Sequence, residues 1–207
     1  QESRGLGDVY KRQCLGLPSA SLIGFEDPQY ADWVQQIFAS KTFRVYSATD
    51  SIGMQLGGTI KNVFAIGAGL CEGLNLGDNA QAALLTRGLA EMTRIGVASG
   101  GRRETFMGLS GVGDLIVTCY SRHSRNQTVG RRLAEGKSLQ EILDTLGMVA
   151  VGVPNTLSVY EIARKLKVRT PLIDAVYAVL YESKAPMEVL TELMTRDPRP
   201  EMDADDH

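Results

Sequence analysis

The sequence has 207 residues, 43% of them hydrophobic and 22% charged, and a formal net charge of -2. A chain of this size buries a core without disulfides or metals. The small, evenly spread charge excludes a strongly basic nucleic-acid-binding protein, and no apolar run reaches the roughly 20 residues of a membrane span. Three scattered cysteines and two histidines predict a reducing, cytoplasmic location and no metal site.

The N-terminal quarter predicts two short strands around one helix. Residues 1–14 lack hydrophobic periodicity, and we expect them to be non-native or disordered. Residues 17–25 and 43–46 are typical of strands, and Asp27 with Pro28 predicts a helix start. The apolar face of that helix comprises Trp33, Val34, Ile37 and Phe38.

Helical periodicity dominates residues 48–196. Residues 51–74 form a glycine-rich segment, and residues 79–99 contain an apolar stripe of Leu85, Leu89 and Met92. Each interior glycine destabilises a helix by about 1 kcal/mol relative to alanine. Tertiary packing must therefore compensate, and we expect both helices to be central and mostly buried.

Later helix boundaries follow from local signals. Ser138 and Glu141 form a capping box, with Gly147 as the stop. A further helix is expected to begin at Asn155 or Thr156, and Pro171 is expected to begin the last one. The polar, acidic residues 197–207 predict a disordered tail.

One glycine-rich motif, residues 67–73 (GAGLCEG), resembles a dinucleotide-binding turn after the strand-like residues 63–66. Such a turn requires a surrounding βαβ unit and an acidic residue after the next strand. The downstream pattern is helical and offers no second strand. A packed glycine-rich helix is therefore the favoured interpretation.

Three short motifs contain chemically interesting residues. Lys61 lies among glycine and apolar residues, where a lysine is either paired, used in acid–base chemistry or extended into solvent. Asp114 follows Gly-Val-Gly, which indicates either close backbone approach to a ligand or a turn capped by the carboxylate. Arg125 between Ser124 and Asn126 is compatible with a phosphate-binding site, although such a tripeptide on its own indicates little.

Taken together, four stretches resemble the bacterial type of the NAD(P)-dependent glycerol-3-phosphate dehydrogenase family. They are FRVYSATDSIGMQLGGTIKNVFAIGAG, GDNAQAALLTRGLAEMTRIG, FMGLSGVGDLIVTCYSRHSRN and VGVPNT. Family members join a Rossmann domain to an all-helical substrate domain. The resemblance implies a mainly α fold, with residues 48–196 as the helical substrate-binding and catalytic domain and residues 15–47 as a strand–helix–strand remnant of the Rossmann domain.

The resemblance also implies site residues. Lys61 corresponds to the catalytic acid/base. The residues implied to bind substrate, the last three through its phosphate, are Lys61, Asn62, Asp114, Thr118, Ser124, Arg125 and Asn126. Arg125 also approaches the cofactor, NAD or NADP, and Val149 and Val151 match further cofactor contacts. The family usually has Glu at the position of Val151.

The implied reaction interconverts dihydroxyacetone phosphate and sn-glycerol 3-phosphate and feeds glycerophospholipid synthesis, in a homodimeric, cytoplasmic enzyme. Because the nucleotide-binding fingerprint is absent from these 207 residues, we expect the chain alone to be inactive. Two alternatives remain open. One is a hydroxy-acid dehydrogenase with a helical C-terminal domain, and the other is a non-catalytic helical dimerisation module.

Overall fold

The computed structural model describes residues 16–121, 124–147, 149–198 and 200. The predicted disorder of residues 1–14 and nearly all of the predicted tail lie outside these ranges. Two strands with one helix between them precede a series of helices. The elements are β1 (Ser19–Gly24), α1 (Pro28–Phe38), β2 (Phe43–Ala48), α2 (Ser51–Gly73), α3 (Gly77–Ala98), α4 (Arg103–Phe106), a π-helical turn (Leu109–Gly113), α5 (Asp114–Tyr120), α6 (Arg125–Ala134), α7 (Leu139–Leu146), α8 (Gly152–Leu166), α9 (Pro171–Tyr181) and α10 (Pro186–Met194).

The N-terminal unit is the predicted strand–helix–strand piece. β1 and β2 pair in parallel, from Ser19 opposite Phe43 to Gly24 opposite Ala48. Asp27 caps α1 by accepting a hydrogen bond from the Gln29 amide at 2.9 Å. This confirms the predicted helix start.

α2 is the centre of the helical part, and its middle is fully enclosed. Ile60, Val63, Phe64 and Ile66 are all 0% exposed, and α3, α5, α6 and α8 pack around them. Residues 63–66 continue one unbroken helix into the glycine-rich motif. The prediction of a buried glycine-rich helix is therefore confirmed for α2, and the dinucleotide-turn alternative is excluded. For α3 the same prediction is wrong, because seven of its 22 residues are buried and one face is open to solvent.

Glycines allow α2 and α6 to cross with their backbones in contact. A Cβ atom on Gly69 would lie 2.0 Å from the Gln127 carbonyl oxygen, and one on Gly130 would lie 2.0 Å from the Ile66 carbonyl oxygen. No side chain fits at either position. The crossing fixes the position of α6, and of the residues at its start, relative to α2.

Two helix boundaries differ from the prediction. The capping box of Ser138 is present, but α8 begins at Gly152 rather than at Asn155 or Thr156. Its first amide, Gly152 N, donates to the Asn126 side chain at 2.9 Å, a long-range cap with no local sequence signal. Pro171 does begin α9, yet this helix is not the last, because Pro186 begins α10.

A buried carboxylate from α3 caps α9. Glu91 is 1% exposed and accepts hydrogen bonds from Leu172 N at 2.7 Å and Ile173 N at 3.1 Å. Burial raises the pKa of Glu91 to about 8, although both hydrogen bonds act in the opposite direction. The contact joins two helices through one titratable group.

Candidate functional site

Lys61 and Asp114 form an ion pair between α2 and α5. The Lys61 Nζ atom donates to Asp114 Oδ2, with the lysine side chain 13% exposed and the aspartate side chain 31% exposed. The lysine is therefore paired rather than extended into solvent. Gly113, not Asp114, holds the cap position of α5, so the capped-turn alternative for Asp114 is wrong.

Thr118 belongs to the same group. One turn after Asp114, its hydroxyl donates to the Asp114 carbonyl oxygen at 2.6 Å and lies 3.4 Å from Asp114 Oδ1. The neighbouring Cys119 is fully buried, and burial raises the pKa of its thiol to about 12. A thiolate nucleophile is therefore not available there at neutral pH, and acid–base chemistry is left to the charged pair.

The π-helical turn before Asp114 packs directly against α2. A Cβ atom on Gly57, one helical turn before Lys61, would lie 2.3 Å from the Ser110 carbonyl oxygen. Inside the turn, a Cβ atom on Gly111 would lie 2.0 Å from the Phe106 carbonyl oxygen. The glycines of this motif thus permit close approach between backbone segments.

Asn62 and Asn126 form a buried chain of amides with Gly152, which we call the amide chain. Asn126 Nδ2 donates to Asn62 Oδ1 at 2.9 Å, and the Gly152 amide donates to Asn126 Oδ1 at 2.9 Å. Asn62 Nδ2 in turn donates to the Gly58 carbonyl oxygen at 3.0 Å. The amide chain joins the middle of α2 to the first turns of α6 and α8.

Arg125 lies at the N-terminus of α6. Ser124 caps this helix by accepting a hydrogen bond from Gln127 N at 3.3 Å. The Arg125 Nη1 atom is buried and has no hydrogen-bond partner among the described residues. An unpartnered buried donor is unfavourable by roughly 1–3 kcal/mol, and a helix N-terminus favours anions. The arrangement fits a phosphate or carboxylate.

The site residues proposed from the sequence fall into two connected groups. Lys61 and Asn62 are consecutive on α2, and Arg125 and Asn126 are consecutive on α6. The Asn62–Asn126 hydrogen bond therefore brings the two pairs together, and Asp114 joins them through Lys61.

Val149 and Val151 lie beside this site, immediately before α8. Val149 is 65% exposed, Val151 is half-buried, and Ala150 between them is buried. The next residue, Gly152, is held by the amide chain. With aliphatic side chains only, the segment offers apolar contact and no charge to a ligand.

Asp50 is a structural residue that the sequence interpretation missed. Its carboxylate accepts from Gly53 N at 2.9 Å, capping α2, and also from Arg102 N at 2.8 Å and the Thr105 hydroxyl at 2.6 Å. Burial acts to raise the pKa of Asp50, but these hydrogen bonds outweigh it and lower the pKa. An Asp before a helix signals the cap, whereas the bonds to Arg102 and Thr105 have no local signature.

The described residues meet neither the requirements of a membrane-spanning helix nor those of a metal site. Within the described ranges, no helix combines the length and hydropathy needed to cross a membrane. The same residues contain no group of three His, Cys, Asp or Glu side chains that could hold a metal ion. A concavity of about 270 Å³ between α8, α9 and α10 contains none of the proposed site residues.

Comparison with known proteins gives a consistent result. Residues 50–191 match the family model described as NAD-dependent glycerol-3-phosphate dehydrogenase C-terminus. Over 198 residues, 95% of this chain and 60% of the relative, the chain is 50% identical to a Syntrophotalea carbinolica protein named glycerol-3-phosphate dehydrogenase (NAD(P)+). A protein of that name from Desulfovibrio desulfuricans is 51% identical over 89% of this chain and 56% of its own length.

The same likeness extends to a solved structure. The crystal structure of glycerol-3-phosphate dehydrogenase from Coxiella burnetii superposes with a TM-score of 0.84 at 38% identity, covering 89% of this chain and 57% of that one. The chain thus spans a little over half the length of these relatives. It belongs to the NAD-dependent glycerol-3-phosphate dehydrogenase family and contains the family's C-terminal, helical domain.

Proposed function

We propose that this chain is the substrate-binding and catalytic part of an enzyme that interconverts dihydroxyacetone phosphate and sn-glycerol 3-phosphate with NAD or NADP. The observation that carries the proposal is the linkage of the Lys61–Asp114 pair to Arg125 through the Asn62–Asn126 hydrogen bond, with the buried Arg125 Nη1 atom finding no acceptor among the described residues. A proton donor and a phosphate-binding cation thus lie on two helices in backbone contact. The names of the relatives support the same reaction.

Arg125 and the start of α6 bind the substrate phosphate. The guanidinium supplies a charge-assisted hydrogen bond, and the positive end of the α6 dipole favours the dianion. Ser124 and Asn126 flank Arg125 and complete the phosphate-binding turn. Because the phosphate is present on both sides of the reaction, these residues position the substrate and product alike.

Lys61 transfers the proton. The chemistry that a nicotinamide cofactor would supply when bound is hydride exchange with the substrate carbonyl carbon, in either direction. As negative charge develops on the carbonyl oxygen, the Lys61 ammonium group stabilises the charge and donates a proton. Asp114 holds the ammonium group in place, and Thr118 orients Asp114. In the oxidation direction, the Lys61 amine accepts the hydroxyl proton.

The chain's own contacts to the cofactor are few. Arg125 supplies charge, and Val149 and Val151 supply an apolar surface suited to a flat ring. The missing carboxylate at Val151 removes one polar contact. Residues 15–47 form the end of the nucleotide-binding domain and residues 48–196 the helical domain of a homodimeric, cytoplasmic enzyme that serves glycerophospholipid synthesis.

The phosphate site is tested by calorimetric titration of the full chain with sn-glycerol 3-phosphate, inorganic phosphate and glycerol. We expect the first two to bind and glycerol not to bind. Arg125→Ala should weaken binding at least about tenfold, because it removes a charge-assisted hydrogen bond, whereas the exposed Arg196→Ala should not. Equal binding by wild type and Arg125→Ala would contradict the phosphate assignment.

The catalytic assignment is tested by joining the chain to the N-terminal part of the Syntrophotalea carbinolica relative and following dihydroxyacetone phosphate reduction. Lys61→Ala should lower kcat by about 10²–10⁴-fold, the usual loss of a general acid, and Arg125→Ala should mainly raise KM. The exposed Lys137→Ala is the matched control. An unchanged kcat in Lys61→Ala would favour the non-catalytic module, and turnover of hydroxy acids without phosphate would favour the other dehydrogenase class.

A further inference from the structure

Two contacts join α2 to the segment that contains the π-helical turn, and they are four residues apart on both segments. Gly57 and Lys61 are four residues apart and share one face of α2. Their partners, Ser110 and Asp114, are also four residues apart. The backbone contact at Gly57 and the ion pair at Lys61 are therefore two successive contacts between the same two segments.

The π-helical geometry determines the direction of the Asp114 side chain. A π-helical turn closes over five residues instead of four. This turn follows the extended residue Gly108, and the Gly113 amide donates to the Gly108 carbonyl oxygen at 3.2 Å, so the turn itself sets the direction in which α5 begins. Asp114 is the first residue after the turn, and its carboxylate contacts Lys61 instead of capping α5.

The turn is confined on two sides. On the α2 side, Gly57 leaves no space for a Cβ atom against the Ser110 carbonyl oxygen. On the α4 side, Gly111 lies against the backbone of Phe106, whose side chain is 0% exposed. The position of the turn is therefore set by the packed interior and not by solvent.

We propose that Gly57 is a positioning residue, which fixes the π-helical turn Leu109–Gly113 so that Asp114 meets Lys61. This rests on the proposed function, in which Lys61 transfers the proton. Any side chain at position 57 pushes the Ser110 carbonyl outward by about 1 Å to restore an ordinary contact and moves Asp114 with it. The phosphate-binding residues should move less than Asp114, because α6 is held by its backbone crossing with α2 and touches the displaced segment through the Gln127–Cys119 hydrogen bond.

The test is Gly57→Ala in the chain joined to the N-terminal part of the relative, as above. A misplacement of about 1 Å lowers a rate by as much as 10²-fold, so we expect kcat to fall by about 10- to 100-fold. The KM for dihydroxyacetone phosphate should stay within about threefold, because Arg125 keeps its place. A parallel rise in KM with kcat unchanged would overturn the proposal.

Gly67→Ala is the matched control on the same helix. The nearest atoms to a Cβ atom there are the ends of the Leu84 side chain, at 3.3 Å and 3.5 Å, which can shift, and Val176 Cγ2 at 3.7 Å, an ordinary contact distance. Both substitutions are buried Gly→Ala changes with the same helix propensity. We expect Gly67→Ala to keep kcat within about twofold of wild type, and an equal loss in both variants would reduce the role of Gly57 to general packing.

A double-mutant cycle separates positioning from stability. If Gly57 acts through Asp114, then Gly57→Ala should change kcat by less than about twofold in an Asp114→Asn background. Losses of kcat that multiply, as they do for two independent sites, would overturn the proposal.

Deleting Val112 shortens the π-helical turn without placing an atom against α2. This deletion should also lower kcat at constant KM. Wild-type kcat in a folded deletion variant would likewise overturn it.

The outcome for wild type separates the two proposals. If the joined wild-type protein does not reduce dihydroxyacetone phosphate, the proposed function fails. If wild type is active while Gly57→Ala matches Gly67→Ala, the function stands and the role of Gly57 is wrong.

Discussion

The helical part and the N-terminal strand unit differ in how completely they bury their apolar side chains. Around α2, residues such as Phe64 and Ile60 are 0% exposed, whereas Trp33 in α1 is 62% exposed and Tyr46 in β2 is 50% exposed. Every proposed site residue comes from the helical part. The geometry of the site therefore depends on a close-packed interior, and the strand unit contributes no proposed site residue, although β1 lies against the π-helical turn.

The difference reflects how each region is built. A parallel pair of strands is normally covered on both faces, and two strands alone have marginal stability. In the strand unit the buried apolar residues are few: Ala31, Phe43 and Val45. The helical part, by contrast, is stabilised by contacts that it makes within itself.

The largest expected effect is in the helical part, at the crossing of α2 and α6. A Cβ atom in Gly130→Ala would lie 2.0 Å from Ile66 O and 2.7 Å from Leu70 N. Backbone atoms cannot rotate away, so we expect a loss above about 4 kcal/mol in the free energy of unfolding, measured by urea denaturation. Gly58→Ala, with nothing within 4 Å, is the control. A mild effect in Gly130→Ala would mean that the crossing is loose.

The second effect is a pH dependence confined to the helical part. Glu91 has a reference pKa of 4.5, raised to about 8 by burial. Between these values the folded chain binds a proton that the unfolded chain has lost, so stability falls as pH rises from 4.5 to 8. We expect a fall on the order of 1–4 kcal/mol in wild type, and a smaller slope in Glu91→Gln.

Helix circular dichroism followed during urea titrations at pH 5 and pH 8, within about the window set by Glu91, checks this pH dependence. The exposed Glu161→Gln on α8 is the control and should keep the wild-type slope. Identical slopes in wild type and Glu91→Gln would show that the buried carboxylate is ionised throughout.

Sequence alone predicts the parts of this structure that have local causes. Asp27, Ser138 and Gly147 mark helix ends by their own side chains or backbone conformations, and the structure confirms all three. The pairing of Lys61 with Asp114 spans 53 positions. No local pattern records a contact over that distance. The motifs therefore indicate that Lys61 and Asp114 each lie in an unusual sequence context, but not that the two side chains form a pair.

The remaining features depend on contacts that no local pattern records. Gly57 contacts the π-helical turn through backbone atoms, and glycine frequency alone does not reveal which glycine is in contact. The apolar face of α1 was predicted, but Trp33 on that face is exposed. Periodicity identifies a face and does not identify what covers it.

The third effect concerns Asp50, which joins the start of α2 to the residues around the start of α4. Its carboxylate accepts three hydrogen bonds, and an asparagine oxygen cannot replace both carboxylate oxygens. We expect Asp50→Asn to lower the free energy of unfolding by about 1–2 kcal/mol. Asp27→Asn is the control, because asparagine caps a helix as well as aspartate does.

Two probes separate the regions in that experiment. Trp33 is the single tryptophan and lies in the strand unit, so its fluorescence reports that unit, whereas circular dichroism is dominated by the helical part. Because the three Asp50 hydrogen bonds lie in the helical part, Asp50→Asn should lower the midpoint of the dichroism transition more than that of the fluorescence transition. Coincident transitions in wild type and variant would show that the two regions unfold as one.

The smallest effect on stability is expected at Trp33 itself. Its side chain, with Tyr30 and Ile37, both more than half exposed, forms an apolar surface on α1. Because Trp33→Gln removes little buried area, the free energy of unfolding should change by less than about 0.5 kcal/mol.

The same change removes the largest side chain from an exposed apolar patch, so the protein concentration at which light scattering begins should rise. Met194→Gln is the control for removing an exposed apolar side chain outside α1, since Met194 is 77% exposed on α10. A loss of more than about 1 kcal/mol in Trp33→Gln would mean that the face is covered within the chain, and the contrast between the two regions would then be wrong.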